Sequence, residues 1–338
     1  MNRHLTFVLA ALVAAASALT VTAASKSGPL VATGLAFLPN PVAALQDQSL
    51  TDQKDADYAA LAPAYGRVTL TNLDGSGFLR GDWVTIVSET GNPAFSSNGT
   101  FDYNRHQDEF EQVMAYYWIT EAQNYIQRLG FGTGLFPPVN EESQRVRINQ
   151  WGADNSFFTD RKDELRFGKG GVDDAEDAEV VLHEYGHAIQ DSQQTPFGFG
   201  NSVEARSIGE GFSDYWAVTL SSVIAPTPDP ACVADWDSVS YTRTTPHCLR
   251  RVDSNLRYPG DLNGAVHHDG MIWSRALWDI RNSIGATQAD TVILNAHFDM
   301  PDPTMPELAA KTVVVAKQIY GNGVANKVKA AFVARGIL

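Results

Sequence analysis

The chain has 338 residues, of which 39 are acidic and 25 are basic, so its formal net charge at pH 7 is −14. A net negative charge of this size argues against nucleic acid and against an anionic membrane surface as partners, because both would repel the protein. The length allows a large hydrophobic core and usually gives two lobes rather than one.

The amino terminus has the pattern of a secretory signal peptide. A basic segment at residues 1–4 is followed by an apolar run at about residues 5–20, and small residues around Ala23 provide a cleavage site. We predict that residues 1–23 are a signal peptide and that the mature chain is exported, either secreted or retained in the periplasm. No later stretch approaches the roughly 18 apolar residues of a membrane-spanning helix, so no membrane association is expected after cleavage.

The next segments predict a loop-rich arm and then a small antiparallel sheet. Residues 24–62 contain several prolines and a polar stretch without a long regular element, and we interpret them as an extended N-terminal arm. Alternating residues at 67–71 and again at 83–87 predict strands. The sequence Asp-Gly-Ser-Gly at 74–77 is typical of a turn, so we expect the two strands to pair as a hairpin.

A long helix and an edge strand are predicted next. Between Phe110 and Leu129 apolar residues recur with helical spacing, and Gly130 ends the pattern. Residues 146–151 alternate as an edge strand does, and residues 154–158 follow them directly. The sequence therefore predicts a helix that packs through an apolar stripe and a strand at the edge of a sheet.

An acidic run precedes the next helix. Five carboxylates fall within seven positions: Asp173, Asp174, Glu176, Asp177 and Glu179. Carboxylates in the first turn of a helix complement its dipole, and this is the interpretation that we favour. A calcium site is the alternative, because hard oxygen ligands suit calcium.

The segment at 180–189 carries the pattern H-E-x-x-H on an apolar helix. His183 and His187 are four residues apart and therefore share a helical face, where both imidazoles can bind one metal ion, with Glu184 beside them. A catalytic zinc site needs a third protein ligand and leaves one position for water. The alternative, two surface histidines on a solvated helix, fits poorly with the apolar residues that flank the motif.

A pair of acidic residues further along the chain offers the third ligand. Glu210 and Asp214 are again four residues apart and share one face of a predicted helix. Glu210 can complete a metal site with the two histidines. Asp214 is placed to accept the second ring N–H of a ligand histidine and so to fix its tautomer.

The rest of the chain predicts a helical lobe. Residues 195–201 break the helical pattern and mark the lobe boundary, which divides the chain into an N-terminal lobe at 63–198 and a helical C-terminal lobe at 199–338. Helical periodicity covers the segments at about 203–222, 270–283, 289–298, 305–320 and 324–334.

The long loop between the first two of these helices contains both cysteines of the chain, Cys232 and Cys248. Because an exported chain can oxidise its thiols, we predict a disulfide between them. Two free thiols are the alternative.

These motifs resemble those of the gluzincin metallopeptidases, and most of all the fungalysin family, relatives of thermolysin. The resemblance rests on His-Glu-Tyr-Gly-His at 183–187, followed 23 residues later by Glu210 in Gly-Glu-Gly-Phe-Ser-Asp. It implies an α+β fold with two lobes: a mixed N-terminal lobe with an antiparallel sheet and the zinc helix, and a mainly helical C-terminal lobe. It also implies that His183, His187 and Glu210 bind zinc and that Glu184 is the catalytic base.

The resemblance extends to the group that stabilises the oxyanion. Val-His-His-Asp-Gly at 266–270 resembles the segment that supplies a histidine for this purpose, and His267 fits the spacing better than His268. Thermolysin also has an assisting tyrosine between its zinc helix and its glutamate ligand, whereas residues 190–209 of this chain contain no tyrosine.

Three further residues are implied to bind substrate. Arg250 is in register with an arginine that binds a substrate carbonyl, a task that suits the rigid fork of guanidinium donors. Asn155 and Ser156 match the position beside an edge strand that binds the substrate backbone. Pairing with a sheet edge holds an extended peptide without reading much of its sequence.

The sequence therefore predicts an exported zinc endopeptidase that acts on proteins or peptides. An aminopeptidase would share the zinc chemistry, but the chain lacks the Gly-x-Met-Glu-Asn type of segment that such enzymes use to bind a free amine. The alternative from another class is a catalytically silent exported zinc-binding or adhesion protein that keeps the fold.

Overall fold

The computed structural model describes residues 30–87, 91–193 and 202–338. The predicted signal peptide and the predicted lobe boundary at 195–201 lie outside these residues, so the division into lobes there stays a prediction. The described chain has the predicted α+β fold, with two mixed sheets before residue 193 and mainly helices after residue 202. None of the described helices is both long and apolar enough to cross a membrane.

The first sheet is built around a strand that the sequence analysis missed. β1 (Ala32–Phe37) lies between β2 (Tyr65–Leu70), which is antiparallel to it, and β4 (Thr100–Phe101), which is parallel to it. The short helix α1 (Pro41–Leu45) follows. The sequence predicted no long regular element in residues 24–62; the structure has short ones there, including the six-residue β1 and the five-residue α1.

The second sheet has the strand order β3 (Val84–Ile86), β5 (Gln144–Arg147), β7 (Glu164–Arg166) and β6 (Phe157–Thr159). Its first three strands are parallel, and β6 is antiparallel to β7. The predicted hairpin is wrong, because β2 pairs with β1 whereas β3 pairs with β5. The turn residues between β2 and β3 thus connect two different sheets.

The predicted edge strand is also misplaced. β5 lies between β3 and β7, whereas β6, which begins directly after Ser156, is at the edge. Arg147, one of the polar residues in this alternation, is buried, and its Nε lies 2.8 Å from Oε2 of the buried Glu164 on β7. A charged residue that is paired inside a sheet gives the same sequence pattern as one at an edge.

α2 (Asp108–Arg128) forms where helical spacing predicted it and packs against the first sheet. The indole N–H of the buried Trp118 donates a hydrogen bond to the backbone carbonyl of Phe37, at 3.2 Å. This contact ties α2 to β1.

The next two helices approach each other closely. They are α3 (Ala178–Ser192) and α4 (Val203–Ile224). A Cβ atom on Gly186 would lie 2.7 Å from Ser213 Oγ and 3.0 Å from Ser213 Cα, so only glycine permits this approach. The face of α3 that carries the H-E-x-x-H histidines is thereby brought against α4.

The C-terminal half contains helices close to those predicted: α5 (Val266–Ile284), α6 (Ala286–His297), α7 (Met305–Tyr320) and α8 (Asn322–Ala334). α5 begins four residues before the predicted start at Gly270, which places His267 in its first turn. In the loop before it, β8 (Cys232–Val233) pairs with β9 (Arg250–Arg251), and the predicted Cys232–Cys248 disulfide is present.

Candidate active site

The two histidines of the motif lie on a buried face of α3. The helix begins at a side-chain cap, since Asp177 accepts a hydrogen bond from the backbone N–H of Glu179 at 2.9 Å. His183 and His187 are one turn apart, both are 8% exposed, and their ring centroids are 5.0 Å apart. The helix therefore presents two imidazoles side by side.

Glu210 on α4 joins the two histidines. Its Oε2 lies 3.3 Å from His183 Nε2 and 3.8 Å from His187 Nε2. Two ligands of one tetrahedral zinc ion, each about 2.0–2.1 Å from the metal, lie roughly 3.3 Å apart. The distances therefore fit a zinc ion, and so do the donors, which are two imidazole nitrogens and a carboxylate oxygen. His183, His187 and Glu210 are called the metal group below.

The protonation of this group reflects its burial and its acidic neighbours. Burial acts to lower the pKa of His183, but its contacts with Asp214 and Glu210 outweigh this and raise the pKa to about 10 in the metal-free protein. Burial lowers the pKa of His187 to about 4. Because a metal ligand must be a neutral imidazole, zinc binding would release the proton that His183 holds at neutral pH.

Asp214 contacts His183 at Nδ1, the ring nitrogen other than the one that faces Glu210. Its Oδ1 lies 2.9 Å from His183 Nδ1, and the aspartate is 1% exposed. Arg250 donates two hydrogen bonds to the same carboxylate, from Nε at 2.6 Å and from Nη2 at 2.7 Å. Burial acts to raise the pKa of Asp214, but this arginine holds it well below its usual range. The carboxylate is therefore ionised and fixed.

We expect Asp214→Asn to weaken zinc binding by about 10- to 100-fold, as is typical when the partner of a ligand histidine is changed. The amide keeps a hydrogen-bond acceptor but loses the charge that favours the imidazole's donating tautomer and that balances Arg250. Competition with a chromophoric chelator measures the affinity. Asp229→Asn, at an exposed carboxylate paired with Arg251, is the matched control. Unchanged zinc affinity in folded Asp214→Asn would contradict this role.

Glu184 lies beside the metal ligands and borders a cavity. It is 7% exposed, and burial raises its pKa to about 7 in the metal-free protein, although the neighbouring His183 acts to lower it. The cavity beside it is also lined by His183 and His267. A carboxylate in this position can take a proton from a group bound at the metal.

The structure separates the two adjacent histidines of α5. His267 Nε2 lies 3.2 Å from Glu210 Oε2 and lines the cavity, with more than half of its side chain exposed. His268 Nδ1 instead lies 3.1 Å from Asp269 Oδ1. Of the two, His267 is thus the one that can reach a substrate at the metal group.

Asn155 and Ser156 also line the cavity, directly before the edge strand β6. The hydroxyl of Ser156 donates a hydrogen bond to Asp174 Oδ2. Together with Arg250, all three residues predicted to bind substrate line one cavity with His183.

A family model of the fungalysin metallopeptidases (M36) matches residues 85–322. The chain belongs to the fungalysin family. This membership makes it a metallopeptidase, and hence a hydrolase, of a zinc-dependent family. The matched range includes α3, α4 and the start of α5, and so every residue of the metal group.

Solved structures agree with the fold. The precursor of protealysin, a metalloproteinase from Serratia proteamaculans, is similar to this fungalysin with a TM-score of 0.58 and 18% sequence identity. The similarity covers 75% of this chain and 87% of that chain. No curated protein sequence matches the chain. At this identity the structural likeness establishes the fold alone.

The acidic run before α3 is held mostly by protein partners in this fungalysin. Glu176 accepts hydrogen bonds from Arg105 Nε and from the indole of Trp236. Glu179 accepts hydrogen bonds from the Ser221 hydroxyl at 2.7 Å and from the Ala234 backbone N–H at 2.8 Å. Glu176, Asp177 and Glu179 therefore have structural roles: two accept hydrogen bonds from the surrounding protein, and Asp177 caps the helix.

Two further acidic residues border the active-site cavity of the fungalysin. They are Asp154 and Asp237, and with Asp174 they form a group in which each carboxylate offers an oxygen within 4.8 Å of the others. Sequence reasoning missed this group because its members are far apart in the chain. The three carboxyl groups come together because the glycine-rich segment at 168–171 passes close to the backbone of Asp154. A Cβ on Gly170 would lie 2.4 Å from Asp154 N.

Proposed function

We propose that this fungalysin is an exported zinc-dependent endopeptidase with Glu184 as its general base. The observation that carries the proposal is the placement of Glu184 among three zinc-type ligands on a cavity that borders the edge strand β6. An extended peptide can pair with the strand edge in such a cavity, and the carbon of its scissile carbonyl then lies near Glu184.

The protein side chains divide the chemistry between them. A bound zinc ion would lower the pKa of a water ligand to about 7 and polarise the scissile carbonyl. A carboxylate oxygen of Glu184 accepts the proton of the attacking water and passes it to the leaving amine. His267 donates a hydrogen bond to the oxyanion that develops on the carbonyl.

The remaining side chains orient the substrate. Asn155 binds the peptide backbone, and Ser156 holds the adjoining part of the cavity wall through Asp174. Arg250 has two nitrogens bound to Asp214, which leaves Nη1 to bind a substrate carbonyl. Because Asp214 also contacts His183, it links the position of the arginine to that of the metal ligand.

Export is supported by two features of the chain. Residues 1–23 have the composition of a signal peptide. The Cys232–Cys248 bridge is of the kind that persists in oxidising compartments outside the cytoplasm. We infer secretion or periplasmic retention of a chain that begins at about Ala24.

Two other functions would use the same fold. A silent zinc-binding or adhesion protein would have no physical need for a buried carboxylate at position 184, next to the metal ligands. An aminopeptidase would need acidic groups that hold a free amine and would release only terminal residues. The position of the cuts in a long substrate separates these functions.

The test is digestion of casein by the chain from Ala24, with and without a zinc chelator, followed by mass spectrometry of the products. We expect internal cuts that the chelator abolishes and that added zinc restores. A folded, zinc-loaded protein that makes no cuts would contradict the proposal and favour the silent protein. Release of amino-terminal residues alone would favour the aminopeptidase.

A further inference from the structure

The cavity beside the metal group is lined by three carboxyl groups that take no part in the proposed proton transfers: Asp154, Asp174 and Asp237. Its volume is about 480 Å³. Asp154 is exposed at this cavity, whereas Asp174 and Asp237 are only 2% and 4% exposed. Carboxylates buried this close together are unfavourable unless hydrogen bonds or a cation satisfy them.

In each of the two buried carboxyl groups, one oxygen accepts a side-chain hydrogen bond and the other oxygen has no hydrogen-bond partner in the described part of the chain. Asp174 Oδ2 accepts a hydrogen bond from Ser156, and Asp237 Oδ2 accepts one from the Tyr241 hydroxyl at 2.7 Å. The other oxygens, Asp174 Oδ1 and Asp237 Oδ1, are buried and have no hydrogen-bond partner within residues 30–87, 91–193 and 202–338. Both residues line the cavity, so each unpartnered oxygen belongs to a side chain in the cavity wall.

Burial raises the pKa values of all three carboxyl groups, and their closeness to one another adds to this effect for Asp174 and Asp237. Burial raises the pKa of Asp154 to about 6. Burial, together with the charges of Asp154 and Glu184, raises the pKa of Asp174 to about 8. Burial and the charges of Asp174 and Asp154 hold the pKa of Asp237 well above its usual range. A cation in the cavity would offset this cost of ionisation.

The cavity is continuous with the place where the scissile bond would lie. Glu184 and His267 line it as well, so a substrate residue next to that bond can extend its side chain toward the carboxylates. The apolar side chains of Val180, Val233 and Leu249 also contribute to the lining. Such a surface suits the alkyl stem of a long basic side chain, whose charged end needs acceptors.

We infer that this cavity binds the side chain of an arginine or lysine adjacent to the scissile bond, so that the enzyme cleaves beside basic residues. The inference rests on the proposed function, because it assigns a substrate class to the same site. A guanidinium offers five N–H donors in a planar fork and can therefore reach several separate carboxylates at once.

A divalent cation fits this cavity less well. Calcium takes six to eight oxygen ligands at about 2.3–2.6 Å. Two of the six oxygens of this group are already acceptors for Ser156 and Tyr241, and the apolar part of the lining offers no ligands. The large volume and mixed lining favour an organic cation over a bare ion.

The test compares internally quenched peptides that differ in one residue next to the cut. Arginine is paired with citrulline, which has nearly the same shape without the charge, and leucine serves as the apolar reference. We expect kcat/KM for the arginine peptide to exceed that for the citrulline peptide by about tenfold or more, as a charge-assisted hydrogen bond gives. Mass spectrometry of the products identifies which side of the cut carries the basic residue.

Variants then connect this preference to the cavity. We expect Asp237→Asn, and also the more exposed Asp154→Asn, to lower the ratio of arginine to citrulline cleavage by about tenfold while cleavage of the leucine peptide continues. Asp173→Asn is the matched control: Asp173 is 4% exposed and precedes Asp174, but it does not line the cavity. It should leave the ratio unchanged.

Binding provides a second measurement that does not depend on turnover. Calorimetry with n-butylguanidinium should detect binding to the wild-type protein and at least about tenfold weaker binding to Asp237→Asn. Equal cleavage of the arginine and citrulline peptides would overturn the inference alone, whereas absence of any cleavage would overturn the proposed function with it. A melting temperature raised by calcium chloride in wild type but not in Asp237→Asn, without n-butylguanidinium binding, would identify a metal site instead and also overturn it.

Discussion

Replacing Glu184 by glutamine should reduce kcat by about 10²- to 10⁴-fold, the usual contribution of a general base. The amide has almost the same shape as the carboxylate but cannot accept the proton of the attacking water. The variant should still bind one zinc ion, because the predicted ligands are His183, His187 and Glu210, which remain in place. Stopped assays on an internally quenched peptide measure kcat, and metal analysis measures zinc.

The combination of outcomes is what identifies the base. Loss of turnover with full zinc content and an unchanged melting temperature is the expected result. If Glu184→Gln kept more than about a tenth of wild-type kcat, general-base catalysis by this residue would be excluded. Loss of zinc would instead show that the residue contributes to metal binding.

Replacing Gly211 by alanine should both destabilise the protein and disable the site. A Cβ atom there would lie 2.3 Å from the backbone oxygen of Gly270 and 3.0 Å from Ser274 N, so α4 and α5 would have to separate. Overpacking of this kind lowers the free energy of unfolding by about 1–3 kcal/mol. Because α4 carries Glu210 and α5 carries His267, a shift of about 1 Å should also lower kcat/KM by roughly 100-fold.

The matched control for this substitution lies on another helix. Gly323 is near the start of α8, and no atom lies within 4 Å of where its Cβ would be. Gly323→Ala should therefore leave activity unchanged and raise stability by up to about 1 kcal/mol, because alanine favours the helix. Urea denaturation and peptide hydrolysis measure both effects. Equal effects of the two substitutions would contradict the close approach of α4 to α5.

The metal group was predictable because its signals are local. His183 and His187 have helical spacing, Glu210 and Asp214 repeat it, and the structure brings the two pairs together. The helices of the C-terminal half were predictable for the same reason, since an apolar stripe with a period of 3.6 residues needs no knowledge of its partner.

Strand pairing could not be predicted in this way. β2 and β3 are joined by a segment with the composition of a hairpin, yet each pairs with a strand far away in the sequence. β1 was missed because its place in the first sheet depends on both neighbours and on α2, which its short sequence does not encode. A strand's partner is decided by tertiary packing rather than by its own pattern.

The acidic cavity was unpredictable for a related reason. Asp154 precedes β6, Asp174 precedes α3, and Asp237 belongs to the loop that contains the disulfide. Only the folded chain places their oxygens within 4.8 Å of one another. No spacing rule connects three residues on three separate segments of the chain.

We propose that one zinc ion, held by His183, His187 and Glu210, makes this fungalysin a peptidase. The most direct measurement is titration of the metal-free protein with zinc while the hydrolysis of a quenched peptide is followed. We expect activity to rise in proportion to zinc and to stop rising at one equivalent, with no such rise in the His187→Ala variant. Full activity before zinc is added, or none in the folded wild-type protein after one equivalent, would contradict the claim.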